Sequence, residues 1–503
     1  MVGEDAPTLA EIIQLTRSEL TVSQDDDEIL ECGRPALVIL ERNPAMCVQL
    51  AYQKLHDVPY REVKTCWRRL YTDAVLWKVL RELEQRAERE EEMEMDKEGE
   101  WITETVKGLD MALILTGAPQ REDLVELWFS ALQHHIAKRE EAVDQRSAKR
   151  RKVELPDHRA AKSSMSTSFP STMASPLMLH SPIPRLTNLS LSAFQTRISN
   201  AETEIPIIIR GAIDHWPALD ERPWSRVDYL MERTLGGRRL VPVEIGRSYT
   251  DQGWGQKILS FGEFMDEYMF RDADLEPVRS VTSKGNEATT TTTTTNSSPD
   301  TPKTGYLAQH DLFAQIPSLR SDITIPDYCY STPPPTTHSH IKPVPKLEDP
   351  LLNAWFGPAN TISPLHTDPY HNILSQVVGH KYVRLYPPSQ TASLHPRGVD
   401  DMGVDMSNTS TIDLEDFFDA FPERSPWRKG DGIGNGDGDG NVNAEEEKRR
   451  TAAAAWQDKY PEDFQDAEFV EGVVGPGDCL YIPVGWWHYV ASLTPSFSVS
   501  FWF

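Results

Sequence analysis

Residues 355–372 read WFGPANTISPLHTDPYHN, and the triplet His366-Thr367-Asp368 within them decides how the chain is read. In an extended strand, residues two apart project to the same side. His366 and Asp368 could therefore reach one metal ion from a single strand. A third ligand must then arrive from a distant strand, and His488 near the C-terminus is the candidate. Two imidazoles and one carboxylate can cap one face of an octahedral Fe(II), leaving three positions open. Alone, an H-x-D triplet is a weak signal, more often a surface loop or a satisfied core histidine, so its meaning rests on what surrounds it.

The surroundings read as strands. Ile205–Gly211 is β-branched and bounded by turn formers, and Leu240–Ile245, Asn372–Val378, Lys381–Tyr386, Cys479–Pro483 and Phe497–Phe503 follow the same pattern. Short strands divided by Gly and Pro predict an antiparallel sandwich or barrel of the jelly-roll kind over 181–503. Three interruptions read as mobile surface insertions. They are 271–304 with seven consecutive threonines (Thr289–Thr295), the proline-rich 331–350, and 421–458 with a Gly/Asp run followed by charged residues and four alanines.

Residues 1–140 read differently. Apolar residues recur at helical spacing in Leu9-Ile12-Ile13-Leu15, in Val63-Trp67-Leu70-Tyr71-Ala74-Trp77-Leu80 and in Leu124-Leu127-Trp128-Leu132. This predicts an all-α N-terminal domain, a bundle or solenoid that could recruit a protein partner. The acidic run Glu88–Glu100 fits a solvated helix face. Residues 141–180 turn basic and then rich in Ser, Met and Pro, which predicts a disordered linker. Within it, Lys149-Arg150-Arg151-Lys152 matches a nuclear localisation signal.

Length and composition bound the rest. The chain has 503 residues, enough for two or three domains, and a formal net charge of −26. Such acidity argues against direct nucleic-acid binding by the chain as a whole, because it repels phosphate, while leaving room for an acidic pocket that takes a basic substrate. The five cysteines are scattered without a C-x-x-C pair, so neither a zinc ribbon nor a disulfide framework is indicated, and a reducing compartment is expected. The N-terminus lacks the pattern of a signal peptide, and no stretch reaches the roughly 20 apolar residues of a membrane span.

Several ordered motifs together resemble the JmjC-domain oxygenases. They are residues 355–372, Gly379-His380-Lys381-Tyr382-Val383-Arg384-Leu385-Tyr386-Pro387, and the stretch 477–488, GDCLYIPVGWWH. Tyr306-Leu307-Ala308-Gln309-His310 and Ile325-Pro326-Asp327-Tyr328-Cys329 are similar to one subgroup, the bifunctional arginyl hydroxylases and lysine demethylases. The resemblance covers roughly 181–503 and reaches weakly into Lys54–Pro59. It implies a double-stranded β-helix, a cupin-like fold, in which His366, Asp368 and His488 hold Fe(II), with 2-oxoglutarate as cosubstrate and O2 as oxidant. It further implies that Lys381 receives the far carboxylate of 2-oxoglutarate. Tyr306, Ser363 and Asn372 would hydrogen-bond the cosubstrate, and Trp355 and Trp502 would wall the pocket. The chemistry agrees, since a five-carbon diacid needs a cation for its far end and a dry wall strengthens that pair. His371, His380 and His395 match no ligand position of the family and are read as structural or surface residues.

On the substrate side, the stretch 241–254 resembles the subgroup's substrate-facing strand and loop, which implies that Glu244, Tyr249 and Trp254 engage the substrate side chain. Glu244 suits a guanidinium as a planar bidentate acceptor, and an aromatic can stack on it; the plain alternative is a strand-end salt bridge with two core aromatics. The departures around Arg247-Ser248 and Gln252-Gly253 bear on fine specificity. The resemblance therefore implies hydroxylation of a protein side chain, with arginine preferred. Demethylation of histone methyl-lysine is the alternative, and a catalytically silent JmjC scaffold is the reading from another class. A zinc cupin hydrolase would lack a carboxylate base at motif spacing and leave Lys381 without a task. Residues 435–446 approach the ligand spacing of an EF-hand loop, but with Asn435 in the first position and no intact preceding helix, an acidic low-complexity insertion fits better.

Overall fold

The structure, a computed structural model, describes the chain outside residues 1–5, 22–25, 89–94, 152–167, 174–176, 201–202, 247, 249, 251–252, 271–303, 336–337, 339–340, 401–402, 428–441 and 461. It divides into two compact units. The first is helical and consists of Met1–Met165 together with Met231–Leu240 and Ser260–Gly262. Its main helices are Leu9–Thr21, Pro44–His56, Thr65–Glu88, Met95–Thr116 and Glu122–Arg151. The apolar stripes read from the sequence meet in one core, where Leu70, Ala74, Leu80, Leu109, Trp128 and Leu132 are fully buried. Two polar devices fix how these helices pack. The buried Trp128 indole donates to the Thr16 hydroxyl at 2.8 Å, and the buried Asp110 carboxylate holds Arg239 at 2.8 Å.

The second unit is the β-rich one. Its strands are β1 (Arg185–Thr187), β2 (Ile207–Arg210), β3 (Leu240–Ile245), β4 (Gly255–Ser260), β5 (Gly305–His310), β6 (Leu351–Gly357) and β7 (Ile362–His366), continuing with β8 (Asn372–Val378), β9 (Lys381–Tyr386), β10 (Val470–Val474), β11 (Asp478–Ile482), β12 (Trp487–Ser492) and β13 (Ser496–Trp502). They form a nine-stranded sheet in the order β1-β2-β11-β8-β13-β6-β5-β3-β4 and a four-stranded sheet in the order β10-β9-β12-β7. This is the cupin-like arrangement of antiparallel sheets expected from the sequence. β8, β9, β11 and β12 are buried along their whole length. Both faces of these strands are covered, so polar residues such as Gln376, Lys381 and Arg384 are buried along with the apolar ones.

β13 instead alternates. Phe497, Val499 and Phe501 are fully buried, with Phe497 4.5 Å from Trp224 and Phe501 5.9 Å from Trp216 between ring centroids. The intervening Ser498 donates to the Gln376 side chain at 2.7 Å, and Ser500 accepts the Trp355 indole N–H at 2.9 Å. The period of two thus sets an aromatic face against a row of small hydroxyls. The β8–β9 turn needs Gly379, whose φ is +71°; a Cβ there would stand 2.0 Å from the Pro495 carbonyl oxygen.

Two boundaries differ from the sequence reading. The last long helix of the helical unit runs to Arg151, through the start of the stretch assigned to a linker. Its Glu, Lys, Arg and Ala residues are good helix formers, and they continue past the last apolar turn. Lys149, Arg150 and Arg151 close this helix, and Lys152 lies outside the described residues. The 421–458 insertion is likewise not a loop throughout, because Val442–Lys459 is a helix. Its alanine run gives helical propensity and its Trp456 is 3% exposed, packed among Phe417, Phe421, Tyr460 and Phe464. The polythreonine stretch and residues 435–441 of the EF-hand-like segment lie outside the described residues. The proline-rich stretch 331–350 carries no described helix or strand. It is anchored where Tyr370 donates to the Pro345 carbonyl at 3.1 Å and where Lys342 meets Asp405 at 2.6 Å.

Candidate metal centre and active site

β7 delivers His366 as its last residue, and the chain then turns so that Asp368 follows on the same side. β12 runs antiparallel to β7 and sets His488 directly opposite His366, beside an irregularity in the register between His488 and Val490. Such an irregularity re-aims a side chain at a site. The ligand atoms of His366, Asp368 and His488 all lie within 4.8 Å of one another. Asp368 faces both rings, with Oδ1 3.7 Å from His366 Nε2 and Oδ2 3.5 Å from His488 Nε2.

Both imidazoles are oriented through the chain itself. His366 Nδ1 donates to the Pro364 carbonyl at 2.7 Å and His488 Nδ1 to the Trp486 carbonyl at 3.1 Å. This fixes the tautomer and leaves each Nε2 lone pair free for a metal. Burial, and then the neighbouring His488, push the His366 imidazole down to about 4, so the ring is neutral near pH 7. Asp368 is steadied in turn by Asn372 at the start of β8, whose amide donates to Oδ2 at 3.0 Å. The donor set of two imidazoles and one carboxylate fits a divalent transition metal with open coordination positions.

The sheet that carries both histidines also carries a buried cation. Lys381, first residue of β9, is 1% exposed and donates to the Tyr306 hydroxyl at 3.1 Å. It makes no ion pair among the described residues, and burial pushes its ammonium down to about 7. Ser363 on β7 hydrogen-bonds the same Tyr306 hydroxyl, whose own ionisation burial drives far upward. Three strands therefore converge on one polar point, where the Glu244 carboxylate also acts on the Tyr306 hydroxyl. Trp355 on β6 flanks it, its ring 6.0 Å from that of Tyr306. Trp502 ends β13 in register with Asn372, 6.3 Å from the Tyr370 ring.

Glu244 on β3 pairs in register with Tyr306 on β5. Trp254 donates its indole N–H to Glu244 Oε2 at 3.4 Å and is 36% exposed. Burial raises the Glu244 carboxyl above its ordinary value, and the Trp254 bond offsets part of that. No cation pairs with it among the described residues. Tyr249 lies outside the described residues.

The structure thus brings His366, Asp368 and His488 together, and separately Lys381, Tyr306, Ser363 and Trp355. Asn372 is placed against the aspartate rather than at the polar point around Lys381. Sequence reasoning missed the carbonyls of Pro364 and Trp486, although each stands two residues before its histidine. It also missed Gly357, where a Cβ would stand 2.7 Å from the Tyr306 ring. The other histidines are engaged elsewhere. His371 Nδ1 accepts from the Tyr481 hydroxyl at 2.9 Å, and His395 Nε2 lies 2.9 Å from Asp463.

Comparison with known proteins bears on the family. The Cupin-like domain family matches residues 193–503. The chain is 31% identical over 459 residues to lysine-specific demethylase 8 of Danio rerio, covering 90% of this chain and 85% of that protein. It is 30% identical over 516 residues to lysine-specific demethylase 8 of Xenopus tropicalis, covering 97% and 96%. It is also 32% identical over 461 residues to lysine-specific demethylase JMJ30 of Arabidopsis thaliana, covering 90% and 83%.

Proposed function

The chain belongs to the cupin-like family of JmjC-domain, 2-oxoglutarate-dependent oxygenases, and on that premise we propose that it hydroxylates an arginine side chain of a protein substrate with Fe(II), 2-oxoglutarate and O2. The observation that carries the cosubstrate assignment is the buried Lys381 ammonium, which lies against the Tyr306 hydroxyl and makes no ion pair among the described residues. A buried charge without a partner is costly, and the far carboxylate of a diacid offsets that cost.

Each residue then has a task. His366, Asp368 and His488 hold the metal, with the carbonyls of Pro364 and Trp486 orienting the rings and Asn372 orienting the aspartate. Lys381, Tyr306 and Ser363 donate to the far carboxylate of 2-oxoglutarate, and Trp355 and Trp502 keep water from its chain. Fe(II) with 2-oxoglutarate and O2 supplies the oxidation of a substrate C–H to C–OH, with succinate and CO2 as coproducts. Glu244 accepts from the guanidinium of the target, and Trp254 at the rim holds that carboxylate and offers a face for stacking.

A second reading is favoured by the relatives' names, which are those of lysine demethylases. A methylated ammonium would also pair with Glu244, and hydroxylation of its N-methyl group ends in loss of that methyl. This reading and the basic run Lys149–Lys152 both support a nuclear location, which a fluorescent fusion with those four residues changed to alanine would test by loss of nuclear signal. Mass spectrometry of matched peptides decides the chemistry. Arginine hydroxylation adds about 16 daltons, and removal of one methyl group from lysine subtracts about 14. A gain on arginine peptides with methyl-lysine peptides untouched is expected, and the reverse pattern overturns the arginine reading.

A further inference from the structure

We propose that Cys32 and Cys66 are an oxidant-responsive dithiol that closes to an internal disulfide within the helical unit. Cys32 ends the short 3-10 turn Glu28–Cys32, and Cys66 is the second residue of the helix Thr65–Glu88. The Cys32 thiol donates to the Cys66 carbonyl at 3.2 Å, and each cysteine is among the groups that influence the other's ionisation. Gly33 follows Cys32 at φ +85°, and the nearest atom to a Cβ there would be 3.8 Å away. The space beside the Cys32 backbone is therefore open.

The five cysteines are not equivalent. Cys32 alone is partly exposed, while Cys47, Cys66, Cys329 and Cys479 are buried. The Cys47 thiol is occupied with the Ala36 carbonyl at 3.6 Å. A disulfide oxidant in solution therefore meets Cys32 first, and Cys66 stands behind it at 2% exposure. Burial, then the neighbouring Cys66, Cys47 and Glu31, hold the Cys32 thiol above its ordinary value, and burial raises Cys66 as well. The pair rests as protonated thiols and reacts only under sustained oxidation, because the thiolate is the nucleophile.

With glutathione disulfide as oxidant, the Cys32 thiolate attacks one sulfur, forms a mixed disulfide and expels one glutathione thiolate. The Cys66 thiolate then attacks the Cys32 sulfur and expels the second. Two protein thiols are oxidised, one glutathione disulfide is reduced to two glutathiones, and the protons given up by the cysteines are taken by the departing thiolates. The new bond closes a loop containing the helices Arg34–Leu40 and Pro44–His56, restricting the unfolded chain more than the folded one.

The test uses the full chain equilibrated with glutathione disulfide, alkylated and digested without reduction. A linked pair of peptides carrying Cys32 and Cys66 is expected, with about 2 daltons lost from the intact mass and recovered with dithiothreitol. The oxidised protein should also melt several degrees higher. In Cys66→Ser the reaction should stop at a glutathione adduct on Cys32. Wild-type protein that accumulates that adduct without the internal link, or that links Cys32 to Cys47, overturns the proposal. The wild-type mapping does not depend on any variant folding.

Discussion

Lys381 Nζ donates to the Tyr306 hydroxyl at 3.1 Å from inside the β-rich unit, and among the described residues it makes no ion pair. In the free protein this lysine therefore carries a desolvation cost. Replacing it with the apolar Lys381→Met should raise the melting temperature of the ligand-free protein by a few degrees. The same change should abolish the melting-temperature rise on adding 2-oxoglutarate with a divalent metal. A charge-assisted pair contributes about 1.5–3 kcal/mol, so the 2-oxoglutarate KM should rise by roughly 10- to 150-fold. A variant that melts lower and binds the cosubstrate normally would remove Lys381 from the site.

The same lysine sets a pH dependence. Its folded-state value is pushed down to about 7, while the unfolded chain keeps the ordinary 10.5. Below pH 7 both states are protonated and the folded protein bears the full cost. Between about pH 7 and 10.5 the unfolded chain holds a proton that the folded lysine has released, so this group makes stability rise with pH. Bound diacid favours the protonated form, so 2-oxoglutarate binding above pH 7 should take up a proton and weaken as pH rises. Calorimetry at pH 8 in buffers of different ionisation enthalpy should give an uptake approaching one proton, absent in Lys381→Met.

Asn372 holds Asp368 Oδ2 at 3.0 Å. Truncation to Asn372→Ala frees the carboxylate to rotate and should weaken metal affinity by about 10- to 100-fold, the usual effect of removing a group that orients a ligand. Titration with Mn(II) or Co(II) measures this independently of turnover.

Glu244→Gln keeps the shape of the side chain and the Trp254 contact while removing the charge. Turnover of 2-oxoglutarate without substrate should be unchanged. The kcat/KM for a cationic peptide should fall by roughly 10- to 150-fold, equivalent to about 1.5–3 kcal/mol. Equal losses in both activities would place Glu244 in the scaffold rather than against the substrate.

The helix Val442–Lys459 contributes to the β-rich unit through Trp456. Trp456→Ala should destabilise that unit by about 3–5 kcal/mol, as other large-to-small core changes do. A change under about 0.5 kcal/mol in chemical denaturation, the range of surface substitutions, would mean that the helix is detached.

What the sequence disclosed and what it hid have physical causes. Leu240–Ile245, Asn372–Val378 and Lys381–Tyr386 were readable to the residue, because β-branched and aromatic runs bounded by Gly or Pro admit few other structures. The clustering of His366, Asp368 and His488 was readable because an H-x-D at a strand leaves the third member to a distant strand. The helix 442–459 was hidden because Trp456, its one buried residue among those described, gives no periodicity in an otherwise charged and alanine-rich run. The placement of Asn372 against Asp368 was hidden as well, since a side-chain amide four residues from a carboxylate makes that bond only when the intervening turn folds back. The end of the first unit was blurred because helix propensity persists to Arg151 after the apolar stripe has stopped.

The central claim is that His366, Asp368 and His488 hold the metal at which 2-oxoglutarate is consumed. The direct measurement is succinate formation by the full chain supplied with Fe(II), ascorbate, 2-oxoglutarate and air, beside His366→Ala with its folding verified by circular dichroism. Succinate well above background from the wild type and none from the variant is the predicted result. Equal succinate from both, or none from the wild type with Fe(II) bound, would contradict it.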